Sequence, residues 1–205
     1  MATVATSLRN YQSRRDFSAT PEPRGKKTKQ KKKSPIFVIQ KHAARQLHYD
    51  LRLEIGGILV SWALPKGPSL NPQVRRLAVR TENHPIDYAR FEGVIPEGHY
   101  GAGTVMVWDS GTYKNISERN GRAVSARTAL KHGEIKFTLK GKKLAGDFVL
   151  IRTNYGDKKG EQWLLIKMKD KHADARRNPV NTQQKSALTN RTMTQIKRDD
   201  AHKEE

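Results

Sequence analysis

Between residues 36 and 169 the chain repeats one pattern: short runs in which apolar and polar side chains alternate, separated by Gly, Pro and Asn-Gly. A period of two puts neighbouring side chains on opposite faces of a strand, so each run reads as a strand with one buried face. The segments 36–40, 46–55, 58–64, 75–82, 103–108, 134–140, 145–153 and 161–168 fit this pattern and are rich in β-branched and aromatic residues. GRAVSARTALK, residues 121–131, is the best helix candidate. Many short strands with turn signals between them predict a mainly β domain, folded as a barrel or a sandwich.

The clearest unit is KHAARQLHYDLRLEIGG, residues 41–57. Leu47, Tyr49, Leu51, Leu53 and Ile55 share one strand face, and Gln46, His48, Asp50, Arg52 and Glu54 share the other. Gly56-Gly57 reads as a two-residue hairpin loop, because glycine takes positive φ without a Cβ clash. That loop sets the register of the next strand, with Leu53 opposite Val60, Leu51 opposite Trp62 and Tyr49 opposite Leu64 as an apolar ladder. On the polar face Arg52 then meets Ser61 and Asp50 meets Ala63, small partners that leave space above the charged groups. RRLAVRTENHP, residues 75–85, alternates in the same way, setting Leu77, Val79 and Thr81 against Arg76, Ala78, Arg80, Glu82 and His84. Whether the two polar faces form one surface is not given by the alternation.

The flanking segments differ in composition. Residues 1–35 hold few apolar side chains and include RGKKTKQKKKSP, which reads as a basic arm. Within it 14–23, RRDFSATPEP, has Phe17 as an apolar anchor and Asp16 and Glu22 among its charges, and is expected to dock on the domain. The domain is expected to span 36–170, and 171–205 reads as a polar, flexible or weakly helical tail. Lys and Arg number 40 against 20 Asp and Glu, a formal net charge of +20, which favours a polyanionic partner, nucleic acid first. No apolar run is long enough to span a bilayer and no signal or lipidation motif is present, so no membrane role is expected. Cysteine is absent, which leaves His, Asp, Glu and backbone oxygen as the available metal ligands.

His48 and Asp50 stand two residues apart on one face, about 6.5–7 Å along the strand, so both side chains can reach one cation. His42 supplies a third ligand if the QKHAARQ segment bends. Two imidazoles and a carboxylate suit Mn, Fe, Co or Zn with positions left for water or substrate. Arg52, Lys66 and Arg76 have the chemistry to hold a phosphate. The same residues also suit an ordinary solvated face, and spacing alone does not separate the two readings. GHYGAG, residues 98–103, is Gly-rich but lacks the Lys-Ser/Thr of a P-loop, and reads as a turn into the next strand. His99, His132, His172 and His202 have no comparable company and are assigned no role.

Taken together, RDFxxTPEP (15–23), FVIQKHAARQLHYDLRLE (37–54), SWALPKGPS (61–69), RRLAVRTENHPIDYARFEGVIPEGHYGAG (75–103) and the late LIRT and QWLLIK resemble the 3′-phosphoesterase module of bacterial DNA ligase D. The resemblance runs from about Arg15 to Lys169. It implies a small closed or nearly closed β-barrel of about eight strands with one or two short flanking helices. It implies a Mn2+-dependent enzyme, with Co2+ or Zn2+ as other possible ions. This enzyme would remove a terminal 3′ ribonucleoside from a primer strand as a phosphodiesterase, then the 3′-phosphate as a phosphomonoesterase. Carried over by position, His42, His48 and Asp50 would bind the metal. Arg52, His84 and Tyr88 would engage the scissile phosphate, with Gln40, Lys66 and Arg76 in support. Arg15, Asp16, Glu22 and Glu82 would serve the diesterase step.

Neither an adenylating ligase motif nor a polymerase segment is present, so the sequence reads as a stand-alone phosphoesterase. Its expected partners are DNA primer-template ends and a separate ligase, polymerase and Ku-like end-binding protein. The expected setting is a monomer in a prokaryotic cytoplasm, close to the nucleoid. The basic extensions are expected to hold DNA non-specifically. Two rivals use other chemistry. A non-catalytic basic nucleic-acid-binding β-barrel accounts for the charge and the strands. A non-haem iron oxygenase accounts for His-x-Asp, with His132 and Lys142 as the distant ligand and the keto-acid partner.

Overall fold

The Gly56-Gly57 turn forms with both glycines at positive φ, 66° and 83°, and joins β2 (Leu47–Ile55) to β3 (Ile58–Leu64). Tyr49, Leu51 and Leu53 face Leu64, Trp62 and Val60, while Asp50 faces Ala63 and Arg52 faces Ser61, the register the alternation predicts. The structure is a computed structural model that describes residues 8–25, 34–153 and 161–201. Residues 26–33, most of the basic run, lie outside the described residues, as does His202.

The other strands are β1 (Ile36–Ala43), β4 (Arg75–Arg80), β5 (Gly93–Ile95), β6 (Gly103–Asn115), β7 (Glu118–Arg119), β8 (Arg122–Ala123), β9 (Glu134–Gly141), β10 (Ala145–Arg152) and β11 (Gln162–Lys167). The order β1-β2-β3-β4-β11-β10-β9-β6, with β6 pairing back on β1, closes an antiparallel barrel of eight strands. The fold is therefore the mainly β barrel with a few short helices that the resemblance implies. No helix among the described residues is long and apolar enough to cross a membrane.

Alternation divides the apolar residues between two cores. Phe37, Leu51, Trp62, Trp108, Phe137 and Trp163 fill the barrel interior. Val38, Leu59, Val105 and Val107 point outward and are covered by Tyr11 of the arm and by Tyr88, in a 3-10 helix at Ile86–Arg90. The polar face of β2 lies on this outer side, since Tyr49, Leu51 and Leu53 go inward. The charged residues thus stand at the edge of a small second core, outside the barrel.

Three sequence expectations are corrected. The 75–82 strand ends at Arg80, and its sides are inverted: Ala78 is fully buried in the interior, whereas Leu77 is 41% exposed. Pairing decides this, because Ala78 sits opposite Trp163 and Arg80 opposite Trp62, and the Arg80 guanidinium lies 5.2 Å from the Trp62 ring. The helix is Ala126–His132 and not 121–131. Asn120 and Gly121, both at positive φ, form the tip of the β7-β8 hairpin, and Ser125 caps the helix by accepting from the Thr128 N–H. β6 continues to Asn115 through Asp-Ser-Gly, which reads locally as a turn. There the Asp109 carboxylate accepts backbone N–H groups from Lys142, Lys143 and Leu144 and ties β6 to the β9-β10 turn.

The described part of the 171–205 segment packs on the barrel through its isolated apolar residues. Trp108 donates its indole N–H to the Gln183 carbonyl (2.7 Å), and Ile196, in the helix Met193–Ala201, is fully buried. Ile196→Ala is expected to lower stability by roughly 2–5 kcal/mol in urea unfolding. A loss below about 0.5 kcal/mol, the range of an ordinary surface substitution, would show that the segment contributes nothing to the fold.

Candidate active site

A bend between Ala43 and Leu47 brings β1 and β2 together so that His42 faces His48 and Gln40 faces Asp50. The two imidazole rings lie 4.8 Å apart. His42 Nε2 is 2.9 Å from the Gly101 carbonyl, and His48 Nδ1 is 2.9 Å from the Gln46 carbonyl. A carbonyl only accepts, so these nitrogens carry the ring hydrogens in the neutral imidazoles. The lone-pair nitrogens, His42 Nδ1 and His48 Nε2, then both turn to Asp50 Oδ2, each at 3.8 Å. The three ligand atoms lie within 4.8 Å of one another, and they form the cluster among the described residues that could hold a metal ion. Three electron-pair donors facing one point, with the outer ring nitrogens tied to carbonyls, fit a divalent cation.

Beside the cluster lies Arg52, 3% exposed. Its Nε donates to Gln40 Oε1 (2.8 Å), Nη1 to Ser61 Oγ (3.0 Å) and His84 Nδ1 (2.7 Å), and Nη2 to Asp50 Oδ2 (3.2 Å). Of five guanidinium hydrogens, the second on Nη2 has no partner among the described residues. Burial raises the Asp50 pKa, but the charge of Arg52, the His42 contact and the charge of His48 outweigh it, and the carboxyl stays well below the usual range. Gln40 gives its amide hydrogens to the Tyr88 and Phe91 carbonyls, so it positions Arg52 and has no donor left for a substrate.

His84 reaches the site because the chain leaves β4 after Arg80. Its backbone makes a two-way bridge to Leu59, which carries it to the outer face. His84 Nδ1 faces a donor, Arg52 Nη1 (2.7 Å), and an acceptor, the Glu82 carbonyl (3.0 Å), so the two contacts favour opposite ring tautomers. Burial first, then the charges of Arg52 and Arg15, push its pKa well below the usual imidazole value. Tyr88 lies under both groups, its ring 4.6 Å from His84 and 4.9 Å from the Arg52 guanidinium, and its hydroxyl donates to Glu22 (3.0 Å). Burial, then the Glu22 charge, raises its pKa well above the phenol value.

The arm supplies a second layer. Arg15 bridges Glu22 (2.8 Å) and Glu82 (2.5 Å), with all three side chains buried. Arg14 reaches Glu82 Oε2 (3.3 Å), and Glu82 Oε1 lies 3.9 Å from His84 Nε2.

His42, His48, Asp50, Arg52, Gln40, His84 and Tyr88 therefore form one cluster, backed by Arg15, Glu22 and Glu82. Three further sequence candidates stand apart from it. Asp16 is exposed on the arm, where it accepts from the Ser18 N–H and hydroxyl. Lys66 is exposed after the end of β3. Arg76 lies on the inward side of β4, opposite Leu165, because the inverted strand turns it away. His132, at a helix end, is outside the cluster, and Lys142 donates to the Ala187 carbonyl (2.5 Å), so the oxygenase arrangement is not formed. Sequence reasoning missed Tyr11, whose ring is 5.0 Å from His84, and Gly101, whose carbonyl holds His42. Neither lies on an alternating strand. Ser61 was visible only as a small residue opposite Arg52.

An antiparallel barrel with a His-His-Asp cluster beside a buried Arg-His pair defines a candidate metal- and phosphate-handling site. Residues 40–152 match the family model described as the DNA ligase D 3′-phosphoesterase domain. The chain is 46% identical over 189 residues to the multifunctional non-homologous end joining protein LigD of Pseudomonas aeruginosa, covering 91% of this chain and 22% of that protein. It is 47% identical over 169 residues to LigD of Mycolicibacterium smegmatis and 44% over 169 residues to the non-homologous end joining DNA repair protein LigD of Mycobacterium tuberculosis. Both cover 82% of this chain and 21% of the relative. The chain belongs to the DNA ligase D 3′-phosphoesterase domain family. It spans about a fifth of the length of these relatives.

Asp50→Asn is expected to weaken Mn2+ binding by at least about 10- to 100-fold in calorimetric titration, since it removes the anionic donor between the two imidazoles. Unchanged affinity would remove the cluster as the metal centre.

Proposed function

We propose that this protein is a metal-dependent hydrolase that processes the 3′ ends of DNA for end-joining repair. It cleaves the phosphodiester that carries a terminal 3′ ribonucleoside, then removes the remaining 3′-phosphate to leave a 3′-hydroxyl. The observation that supports it most directly is the convergence of two imidazole lone pairs and the Asp50 oxygen beside Arg52 and His84. Mn2+ is the first candidate ion, and Co2+ and Zn2+ suit the same donors. Primer-template ends are the proposed substrate, with a ligase, a polymerase and a Ku-like protein as proposed partners.

His42, His48 and Asp50 would hold the ion, which supplies Lewis acidity that draws charge from the phosphoryl oxygens. Arg52 adds a fixed positive charge and its unclaimed Nη2 hydrogen. Held by Gln40 and Ser61, it needs no reorganisation as negative charge builds on the phosphoryl group. Burial keeps the His84 ring neutral, and the Arg52 contact favours the tautomer with its hydrogen on Nε2. That suits a hydrogen bond to a phosphoryl oxygen better than proton donation to a leaving group, which would call for the protonated ring. Tyr88 stays protonated and acts by positioning Arg52 and His84. Glu82 and Glu22 hold Arg15 against the back of the site.

The test is a labelled primer-template ending in one ribonucleotide, incubated with Mn2+. A strand ending in 3′-phosphate is expected first and the 3′-hydroxyl product second, with chelator stopping both. His48→Ala should slow both by at least about 100-fold, which is roughly 2.7 kcal/mol of transition-state stabilisation. No shortening with Mn2+, Co2+ or Zn2+ would overturn the proposal. Binding without shortening would instead favour the basic nucleic-acid-binding barrel that the +20 charge also suits.

A further inference from the structure

The basic residues around the cluster differ in how they are paired. The bend between β1 and β2 exposes Arg45. Lys66 is exposed just beyond Pro65, the position that extends the β2-β3 register to face His48. Neither lysine nor arginine there forms an ion pair among the described residues. Arg14 and Arg15 of the arm, by contrast, are set against Glu22 and Glu82, with exposed Asp16 on the same arm.

Tyr100 stands beside these paired arginines and is 49% exposed, one of few large apolar side chains left open among the described residues. Its hydroxyl accepts from Arg14 Nη1 (2.8 Å), and the Arg14 and Arg15 guanidiniums lie 4.9 Å and 5.5 Å from its ring centre. The next residue, Gly101, holds His42 through its carbonyl. The GHYGAG loop is thus fixed to the cluster at one residue and to the arm at its neighbour.

We propose that Tyr100, oriented by Arg14, is the platform on which the departing 3′-terminal nucleoside stacks, and that the primer strand before the scissile phosphate runs along Arg45 and Lys66. This rests on the function proposed above. A polyanionic strand needs unneutralised cations, which Arg45 and Lys66 supply beside the cluster. A terminal nucleoside is uncharged, has a π face and carries hydroxyls, and an open tyrosine ring among acid-balanced arginines matches it. In the step concerned, water oxygen bonds to phosphorus and the bond from phosphorus to the nucleoside 5′ oxygen breaks. The nucleoside leaves with a proton on that oxygen, and the primer keeps a 3′-phosphate. The platform is occupied in this step and empty when the 3′-phosphate is removed.

The test compares kcat/KM for two primer-templates of one sequence, one ending in a ribonucleoside and one in a 3′-phosphate. Tyr100→Ala is expected to lower the diester-to-monoester ratio about tenfold or more. Tyr100→Phe, which keeps the ring, is expected to hold the ratio within about threefold. Arg45→Ala is expected to lower both substrates alike. An unchanged ratio in Tyr100→Ala overturns the platform, as does an equal loss on both substrates, which would place its effect on the cluster through Gly101. Tyr100→Phe matching Tyr100→Ala also overturns it, since the hydroxyl and not the ring would then matter. Wild-type protein inactive on both substrates overturns the functional reading itself, and an active wild type with an unmoved ratio overturns this inference alone.

Discussion

A single buried cation organises the outer face of this barrel. Arg52 is almost fully removed from water, and a guanidinium so placed is tolerated only if its charge and hydrogens are met. Its partners come from separate parts of the chain: Gln40 from β1, Asp50 from β2, Ser61 from β3, His84 from the segment after β4, and the Tyr88 ring from the 3-10 helix. Satisfying one residue therefore fixes three strands and two connecting segments relative to each other. Gln40 extends the restraint, since its other end clamps the carbonyls of Tyr88 and Phe91.

The arm completes this face rather than merely covering it. Tyr11 is fully buried, with its hydroxyl on the Pro23 carbonyl and its ring against His84, Phe17 and Tyr88. Arg15 lies over the same ring and joins Glu22 of the arm to Glu82 of the domain. Glu22 and Glu82 are buried carboxylates, and losing Arg15 would leave both without their shared cation. Arm docking and the hydrophobic environment of His84 are thus one structural event, which gives the RDFxxTPEP stretch a physical reason to accompany the histidine strands.

Much of this was legible in the sequence because β2 and β3 obey one rule. Alternation gave their faces, and a two-glycine turn gave their register, so Arg52 over Ser61 could be placed without coordinates. Where the rule failed, a tertiary contact overrode it. Leu77 and Ala78 exchange sides because Trp62 and Trp163 fill the interior next to β4, leaving room for a small residue there. Asp109-Ser110-Gly111 continues a strand because the carboxylate caps a distant turn. The proximity of Tyr11, Tyr100 and the Gly101 carbonyl to the cluster depends on long-range docking, which no local period encodes. His84 was identifiable only by resemblance, since its route to the outer face runs through a strand break.

The charge balance of the site follows from the same contacts. Arg52 is opposed by Asp50, and Arg15 by Glu22 and Glu82, so the protein groups at the floor carry no net positive charge although the chain carries +20. On the proposed reading, attraction for a phosphate at the floor would then come from a cation held by His42, His48 and Asp50, together with directed N–H groups of Arg52 and His84. On the proposed reading this separates two tasks. Unpaired surface lysines and arginines gather the polyanion from a distance, while the floor recognises a phosphoryl group only when its metal is in place. Under that reading the basic surface alone could hold DNA, but the balanced floor would make the chemistry conditional on the ion.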